Sequence, residues 1–160
     1  MHAIVIVAAL VTVTYGVTVK EPPAYEAWTP LPTGMSISVL KDGDKKTIPH
    51  SGEMVELQYT GRLVATGEVF DSSRTNGEPF KFRMGAKKVI PCYEFALKEM
   101  SLGERATFRC PAPLAYGEAG VPGRIPSNAD LEFDVEILAV YQKPLSLFER
   151  LKAKELAKLE

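Results

Sequence analysis

Apolar and polar residues alternate along most of the chain between residues 35 and 139, and this period of two predicts β-strands. The clearest run is residues 54–62, where Val55, Leu57 and Tyr59 are separated by polar residues. Such a strand buries one face and leaves the other in water. Shorter runs of the same kind are residues 35–39, 69–71, 80–84, 104–110 and 131–139. The pattern therefore predicts a sheet with one face on a core.

One helix interrupts the strands at residues 89–100, which read VIPCYEFALKEM. Pro91 suits its first position, because the N–H that proline lacks would be unpaired there anyway, and Gly103 suits a left-handed cap after its end. The apolar residues at helical spacing are Tyr93, Ala96, Leu97 and Met100. About ten residues are too few for a helix that persists alone in water. We therefore predict a sheet wrapped over this helix, with Val89, Ile90 and Tyr93 facing the hollow that the sheet encloses.

Two segments of a different kind precede the strands. The apolar run within residues 1–19 has the length of a secretory signal core and is short for a membrane span. Cleavage after Gly16 would place the protein in the secretory pathway or outside the cell; the alternative is an anchor or an extra strand, because valine and threonine alternate there. Residues 20–34 are rich in proline and predict an extended arm, with Trp28 packed on the domain surface.

A helical pattern returns in the tail, residues 142–160. Residues 146–149 read SLFE, which is a capping box, and the leucines that follow give the segment an apolar half. This helix either docks on its own domain or contacts a partner or a second copy. Residues 35–141 form the domain between these appended segments.

Composition fits one globular domain and narrows the classes of function. The 160 residues suffice for a core, and 46% hydrophobic content is ordinary. The formal net charge of -1, without a clustered basic face, predicts no nucleic-acid partner.

The two cysteines, Cys92 and Cys110, leave two alternatives open. In an oxidising compartment they form one disulfide; otherwise they are two buried thiols, which is the alternative that we favour. A structural zinc site normally needs four ligands, and with His2 and His50 as the only histidines no spacing supplies them. We therefore expect no metal and no cofactor.

Motifs for nucleophilic or nucleotide chemistry are absent from the sequence. It contains no G-x-S-x-G elbow, H-E-x-x-H pair, P-loop or G-x-G-x-x-G turn. His50 lies in a predicted loop and is interpreted as an ordinary surface residue. Whatever the domain does is expected to proceed without a general-base histidine.

Aromatic residues aimed inward from different strands are the main candidate chemistry. They are Tyr59, Phe70, Phe80, Phe82, Phe108 and Phe133, with Tyr93 from the helix. A plain hydrophobic core would also explain most of them. Asp71, which follows Phe70 where a strand gives way to a loop, and the long loop at residues 111–129 favour a binding site, because proline and glycine stiffen and bend that loop as a rim requires.

The order of these motifs carries a family resemblance. In chain order they are Tyr59-Thr60-Gly61, Phe70-Asp71-Ser72-Ser73-Arg74, Pro79-Phe80-Lys81-Phe82, Gly85, Val89-Ile90, Ala115-Tyr116-Gly117, residues 120–126 and residues 131–138. Over residues 35–141 they resemble the FKBP-type peptidyl-prolyl isomerases. The resemblance implies an α+β fold in which a curved antiparallel sheet wraps around one short helix; the C-terminal helix predicted above lies outside it.

The family's pocket, transferred residue by residue, predicts the site. The matching positions are Tyr59, Phe70, Asp71, Phe80, Val89, Ile90, Tyr93, Tyr116, Ile125 and Phe133. Tyr93 stands on the floor, where the best-known members carry tryptophan. Asn76 stands where an arginine often pairs with the loop aspartate, and Val121 and Arg124 change the rim. The resemblance therefore implies proline-containing peptides or proteins as partners and a weakened affinity for macrolide inhibitors.

The implied activity is rotation about X–Pro bonds in protein folding, through an aromatic pocket that excludes water. An isomerase is the reading that we favour. Two alternatives remain open at this stage: a weakly active or inactive binding module or chaperone on the same fold, and a structural protein that dimerises through its tail helix.

Overall fold

The computed structural model describes residues 28–142. The predicted signal or extra strand in residues 1–19 and the capping box and helix of the tail lie outside the described residues. No helix within residues 28–142 is long and apolar enough to cross a membrane.

Seven strands and two short helices make up the described chain. The strands are β1 (Thr29–Pro30), β2 (Ser36–Lys41), β3 (Met54–Leu63), β4 (Val69–Ser72), β5 (Phe80–Arg83), β6 (Arg105–Cys110) and β7 (Leu131–Tyr141). The helices are α1 (Ser73–Asn76) and α2 (Pro91–Ala96), and single 3₁₀ turns cover Leu97–Glu99 and Ala112–Leu114. The alternation in the sequence located all strands except β1.

All the strands join one antiparallel sheet in the order β1-β2-β6-β7-β3-β4, with β5 also paired to β3. The long pair β3–β7 forms its centre, from Met54 opposite Tyr141 to Leu63 opposite Leu131. The ladder shifts register between Glu56 and Leu57, and such bulges bend a sheet. The prediction of a curved antiparallel sheet around one short helix is confirmed.

The helix α2 packs its apolar face on the concave side of the sheet. Tyr93, Ala96, Leu97 and Met100 are all buried, as their spacing predicts. They meet the inward residues of the strands, among which Val55, Leu57, Ala106, Phe108, Val135 and Ile137 are fully buried. Because the α-helical part has only six residues, packing rather than helix propensity must hold it.

Three details differ from the sequence prediction. The helical segment ends in a 3₁₀ turn, and Gly103 (φ +80°) serves the turn into β6 rather than the helix cap. Residues 73–76, in the loop expected after Asp71, form the single turn of α1. In the proline-rich arm, β1 pairs with β2, and its edge position tolerates Pro30 because no neighbour requires the missing N–H.

Trp28 packs on the domain surface as expected. Its ring lies 4.5 Å from the guanidinium carbon of Arg109 on β6, a cation–π contact that is worth about 0.5–1 kcal/mol when exposed. The arm is thereby fixed to the same strand that carries Cys110.

An ion-pair cluster fixes α1 on the other face of the sheet. Asp134 on β7 accepts from the Arg105 guanidinium at 2.7 and 2.9 Å and from Arg74 of α1 at 3.3 Å. Burial opposes ionisation of Asp134, but the hydrogen bond and the charges of these arginines outweigh it and lower its pKa. Arg74 also donates to Thr60 of β3, so the chain that follows Asp71 is anchored at its base.

The two cysteines form a disulfide, so the favoured alternative of two free thiols is wrong. Cys92, in the first turn of α2, and Cys110, at the end of β6, are joined across Cα atoms 5.8 Å apart, and both are fully buried. The sequence could not decide this, because pairing depends on how the helix start meets the strand end. The bond fixes α2 to the sheet one residue away from Tyr93.

Removing this disulfide should weaken the fold. For a loop of 18 residues, the chain-entropy argument gives about 3 kcal/mol. We expect the double variant Cys92→Ser/Cys110→Ser to lose about that much free energy of unfolding in urea, and dithiothreitol to destabilise the wild-type protein but not the variant. An unchanged urea midpoint in the variant would contradict a stabilising role.

Candidate active site

One hollow opens where the start of α2 meets the concave face of the sheet. Its volume is about 570 Å³. The lining residues are Tyr59, Phe70, Asp71, Phe80, Lys87, Lys88, Val89, Ile90, Pro91, Tyr93, Tyr116 and Phe133. Most are aromatic or aliphatic, so the hollow is an apolar cleft with a few polar groups, as small ligand sites usually are.

Each wall comes from a different element. Tyr59 lies on β3, Phe70 and Asp71 on β4, Phe80 on β5 and Phe133 on β7. The strands place these side chains by the same alternation that builds the core. The segment before α2 supplies Val89 and Ile90, and the long loop after β6 supplies Tyr116.

Tyr93 forms the floor of the hollow. Its side chain is 5% exposed, and the edges or faces of several rings surround it. The ring centroids of Phe133 and Phe108 lie 5.0 and 5.4 Å away, and those of Tyr59 and Phe82 lie 6.3 Å away. T-shaped contacts at these distances contribute about 0.5–1.5 kcal/mol each beyond area burial, so the floor is rigidly held.

Gly61 allows two rings of the wall to meet. Phe70 and Phe133 make an edge contact with centroids 5.8 Å apart. A Cβ atom at Gly61 would lie 2.6 Å from Phe70 Cζ and 2.9 Å from Phe133 Cε1. Any other residue at position 61 would therefore push at least one of these rings out of place.

Asp71 carries the single negative charge among the lining residues. Its carboxylate accepts the Tyr59 hydroxyl at 2.6 Å and the Ser72 N–H at 2.9 Å. Burial, and then the hydrogen bond to Asp71, raise the pKa of Tyr59 far above its ordinary value. Asn76, at the position where the resemblance often places an arginine, is exposed on α1 and takes no part in these bonds. The aspartate therefore keeps a neutral partner instead of a cation.

Tyr116 stands at the mouth of the hollow and is 39% exposed. Burial, followed by the negative charge of Asp71, raises the pKa of its hydroxyl, which therefore stays protonated near neutral pH. Across the hollow, the N–H of Ile90 donates to no other group among residues 28–142. The lining therefore includes a hydroxyl and a backbone N–H without a partner among residues 28–142.

The structure brings together nine of the ten residues that the sequence predicted. The exception is Ile125, which is 6% exposed within the core and lines a separate depression beside Pro122 and Gly123. The bridge between Val121 and Ile125 turns this part of the loop away from the hollow. No periodicity in the loop sequence could have shown that turn.

Sequence reasoning missed three lining residues, Lys87, Lys88 and Pro91. Their position beside Val89-Ile90 was the available signal. The segment that carries the lysines is fixed to the helix, because both carboxylate oxygens of Glu94 accept the Gly85 N–H, at 2.8 and 2.9 Å. The rim of the hollow and its floor are thereby joined.

Comparison with known proteins agrees with this geometry. The family model described as FKBP-type peptidyl-prolyl cis-trans isomerase matches residues 45–138. FK506-binding protein 1 of Candida glabrata is 45% identical over 107 residues, which are 67% of this chain and 93% of that protein. Peptidyl-prolyl cis-trans isomerase FKBP1A of Xenopus laevis is 44% identical over 105 residues, 66% of this chain and 96% of that protein.

A solved structure has the same fold. The crystal structure of AtFKBP13 aligns with a TM-score of 0.66 at 30% identity, covering 71% of this chain and 98% of that one. These similarities confirm the isomerase reading over the inactive binding module. The chain belongs to the FKBP-type peptidyl-prolyl cis-trans isomerases and is an enzyme of that family.

Proposed function

We propose that the hollow binds the proline of an X–Pro segment in a folding protein and catalyses its cis-trans rotation there. The observation that carries this proposal is the convergence of aromatic and aliphatic side chains from five elements on one cleft of about 570 Å³. A pyrrolidine ring is apolar and compact, and it fits such a lining better than a charged group does.

The reaction needs no nucleophile. Rotation about X–Pro meets a barrier of about 18–20 kcal/mol, and the uncatalysed exchange takes tens to hundreds of seconds. In the twisted transition state the amide loses its resonance and much of its charge separation. An apolar hollow that excludes water favours this state over the planar ground state, which is the condition for catalysis.

The apolar side chains clasp the proline ring. Tyr93 lies beneath it, Phe80 and Phe133 stand at the sides, and Val89 and Ile90 complete the rim. The contacts of Tyr93 with Phe133 and of Phe80 with Tyr59, at centroid distances of 5.0 and 5.7 Å, support this arrangement, because rings that hold one another need no rearrangement to hold a ligand.

Polar groups orient the chain on either side of proline. The Ile90 N–H and the Tyr116 hydroxyl bind flanking carbonyl groups. Asp71, Tyr59 and Phe70 line the side on which the rotating carbonyl moves. The hydrogen bond between Tyr59 and Asp71 at 2.6 Å keeps that wall fixed. No group supplies an acid or a base, so substitutions should reduce the rate by degrees.

The clasp can be tested with Phe133→Ala, which removes one wall. A loss of about 1.4 kcal/mol in transition-state packing corresponds to a tenfold fall in kcat/KM, and we expect at least that for a proline tetrapeptide. The matched control is Phe95→Ala, because Phe95 lies on α2 with 37% exposure and outside the hollow. The rate should be measured by NMR exchange of the cis and trans signals.

Phe133 is 3% exposed, so its truncation also lowers stability. Phe80→Leu, on the half-buried side of the hollow, separates the two effects, and the thermal midpoint of each variant should be recorded. Unchanged turnover in both folded variants would contradict the clasp.

We also propose that the hollow binds macrolides of the FK506 type, with lower affinity than a tryptophan-floored site. The relatives named FK506-binding protein 1 support the ligand class. Tyr93 offers less ring area than tryptophan, and Asn76 brings no cation to Asp71.

Enlarging the floor should strengthen macrolide binding. We expect Tyr93→Trp to lower the Kd for FK506, as measured by calorimetry, because a larger ring buries more of the ligand. Phe95→Trp adds the same ring outside the hollow and should leave the Kd unchanged. Equal affinity of wild type and Tyr93→Trp would show that floor area does not limit binding.

For the compartment, we propose the secretory pathway or the extracellular space. The buried disulfide between Cys92 and Cys110 supports this, because disulfides persist in oxidising compartments and are rare in the cytosol. The apolar run in residues 1–16 supports it as well, as a signal that is cleaved.

Expression of the full chain with a C-terminal tag in eukaryotic cells tests the compartment. We expect secreted or lumenal protein whose mass lacks residues 1–16, and in which both cysteines resist alkylation until reduced. Full-length protein in the cytosol with two alkylatable thiols would contradict the proposal.

A further inference from the structure

The floor of the hollow contains a hydroxyl group without a partner. Among residues 28–142, the Tyr93 hydroxyl neither donates nor accepts a hydrogen bond, and Thr33 Oγ1 is the one fully buried side-chain oxygen or nitrogen that lacks a partner. Because the Tyr93 oxygen has no partner and is not in that fully buried class, it is accessible, even though the residue as a whole is only 5% exposed. Because Tyr93 lines the hollow, the accessible part of the side chain includes this hydroxyl.

The electrostatic neighbours of that hydroxyl also belong to the hollow. After burial, the groups that raise the pKa of Tyr93 are Tyr59, Tyr116 and Asp71, and all three line the hollow. The position of Tyr93 in the lining and the accessibility of its oxygen place the hydroxyl at the cleft, and these neighbours agree with that placement. Its raised pKa keeps it protonated near neutral pH, so it can serve as a donor.

The other polar groups of the wall leave this donor free. Asp71 already accepts from the Tyr59 hydroxyl and from the Ser72 N–H, and Tyr59 uses its proton in that bond. A donor at the bottom of an apolar hollow is costly to leave unpaired. An acceptor that forms next to Tyr93 would therefore receive a hydrogen bond from its hydroxyl.

The reaction creates such an acceptor. In the planar imide the nitrogen lone pair is delocalised into the carbonyl group, so the nitrogen accepts no hydrogen bond. Twisting the C–N bond localises the lone pair on nitrogen, which is a member of the ring that the floor carries. A donor beneath that ring therefore gains a partner in the transition state and not in either ground state, which is the requirement for lowering the barrier.

We propose that the Tyr93 hydroxyl donates a hydrogen bond to the prolyl nitrogen in the twisted transition state, and that Tyr93 is thereby a catalytic residue as well as the floor. No bond is made or broken, and the proton stays on the tyrosine oxygen. The inference rests on the proposed function, because it requires the proline ring to lie on Tyr93.

Tyr93→Phe tests this, because it removes the oxygen and keeps the ring that forms the floor. We expect kcat for a proline tetrapeptide to fall about tenfold, as the loss of one transition-state hydrogen bond implies, while KM stays within about twofold. The matched control is Tyr141→Phe, whose hydroxyl binds Glu56 at 2.8 Å on the exposed surface outside the hollow, and which should keep both constants.

The thermal midpoint of Tyr93→Phe distinguishes a catalytic role of the hydroxyl from a structural one. Because the Tyr93 hydroxyl has no partner in the described protein, Tyr93→Phe should keep or raise the thermal midpoint while kcat falls. An unchanged kcat would overturn the inference, and so would a rise in KM at constant kcat, which marks a bond made to the ground state. If Phe133→Ala loses activity while Tyr93→Phe does not, only the hydroxyl's role fails; if neither does, the proposed site fails too.

Discussion

The packing of the Tyr93 ring among aromatic edges is the contact on which the rest of the structure depends. A helix of six residues has no stability of its own, and the ring of Tyr93 ties its first turn to Phe133 and Phe108 on neighbouring strands. The same packing closes the bottom of the hollow. Core and site are therefore one set of contacts, and the curvature that the sheet needs to cover the helix also creates the cleft.

The disulfide between Cys92 and Cys110 stabilises this arrangement by joining α2 to β6. Cys92 precedes Tyr93 and Cys110 lies two residues after Phe108, so the bond spans the two elements whose rings meet at the floor. The side chains of the hollow then have few ways to rearrange. A site that stabilises a strained conformation by shape depends on such stiffness, since a pliable wall would relax around the planar form equally well.

Most of the strands and most residues of the hollow could be predicted from the sequence, because the patterns that indicate them are short and local. The strands follow from alternation, and nine lining residues follow from the motifs that carry the family resemblance. Six of these nine lie on the strands or on α2, and the other three lie in the segment before α2 or in the loop after β6. Other features depend on how segments that are distant in sequence meet in the fold. β1 pairs through backbone groups, which leave no pattern in a proline-rich sequence. The disulfide requires the start of the helix to lie beside the end of a strand. Ile125 turns inward because its segment forms a bridge with Val121. Lys87 and Lys88 reach the rim through a loop without periodicity.

The bond from Glu94 to the Gly85 N–H has a consequence for how a client chain is received. It joins the lip of the cleft to the helix that forms its base, and so restrains the two relative to each other. A proline-containing chain then meets a site whose shape was set when the domain folded, so the bound chain, rather than the site, loses most of the conformational entropy on binding. We therefore expect the flexibility of the bound chain around its proline to influence its affinity more than any movement of the site does.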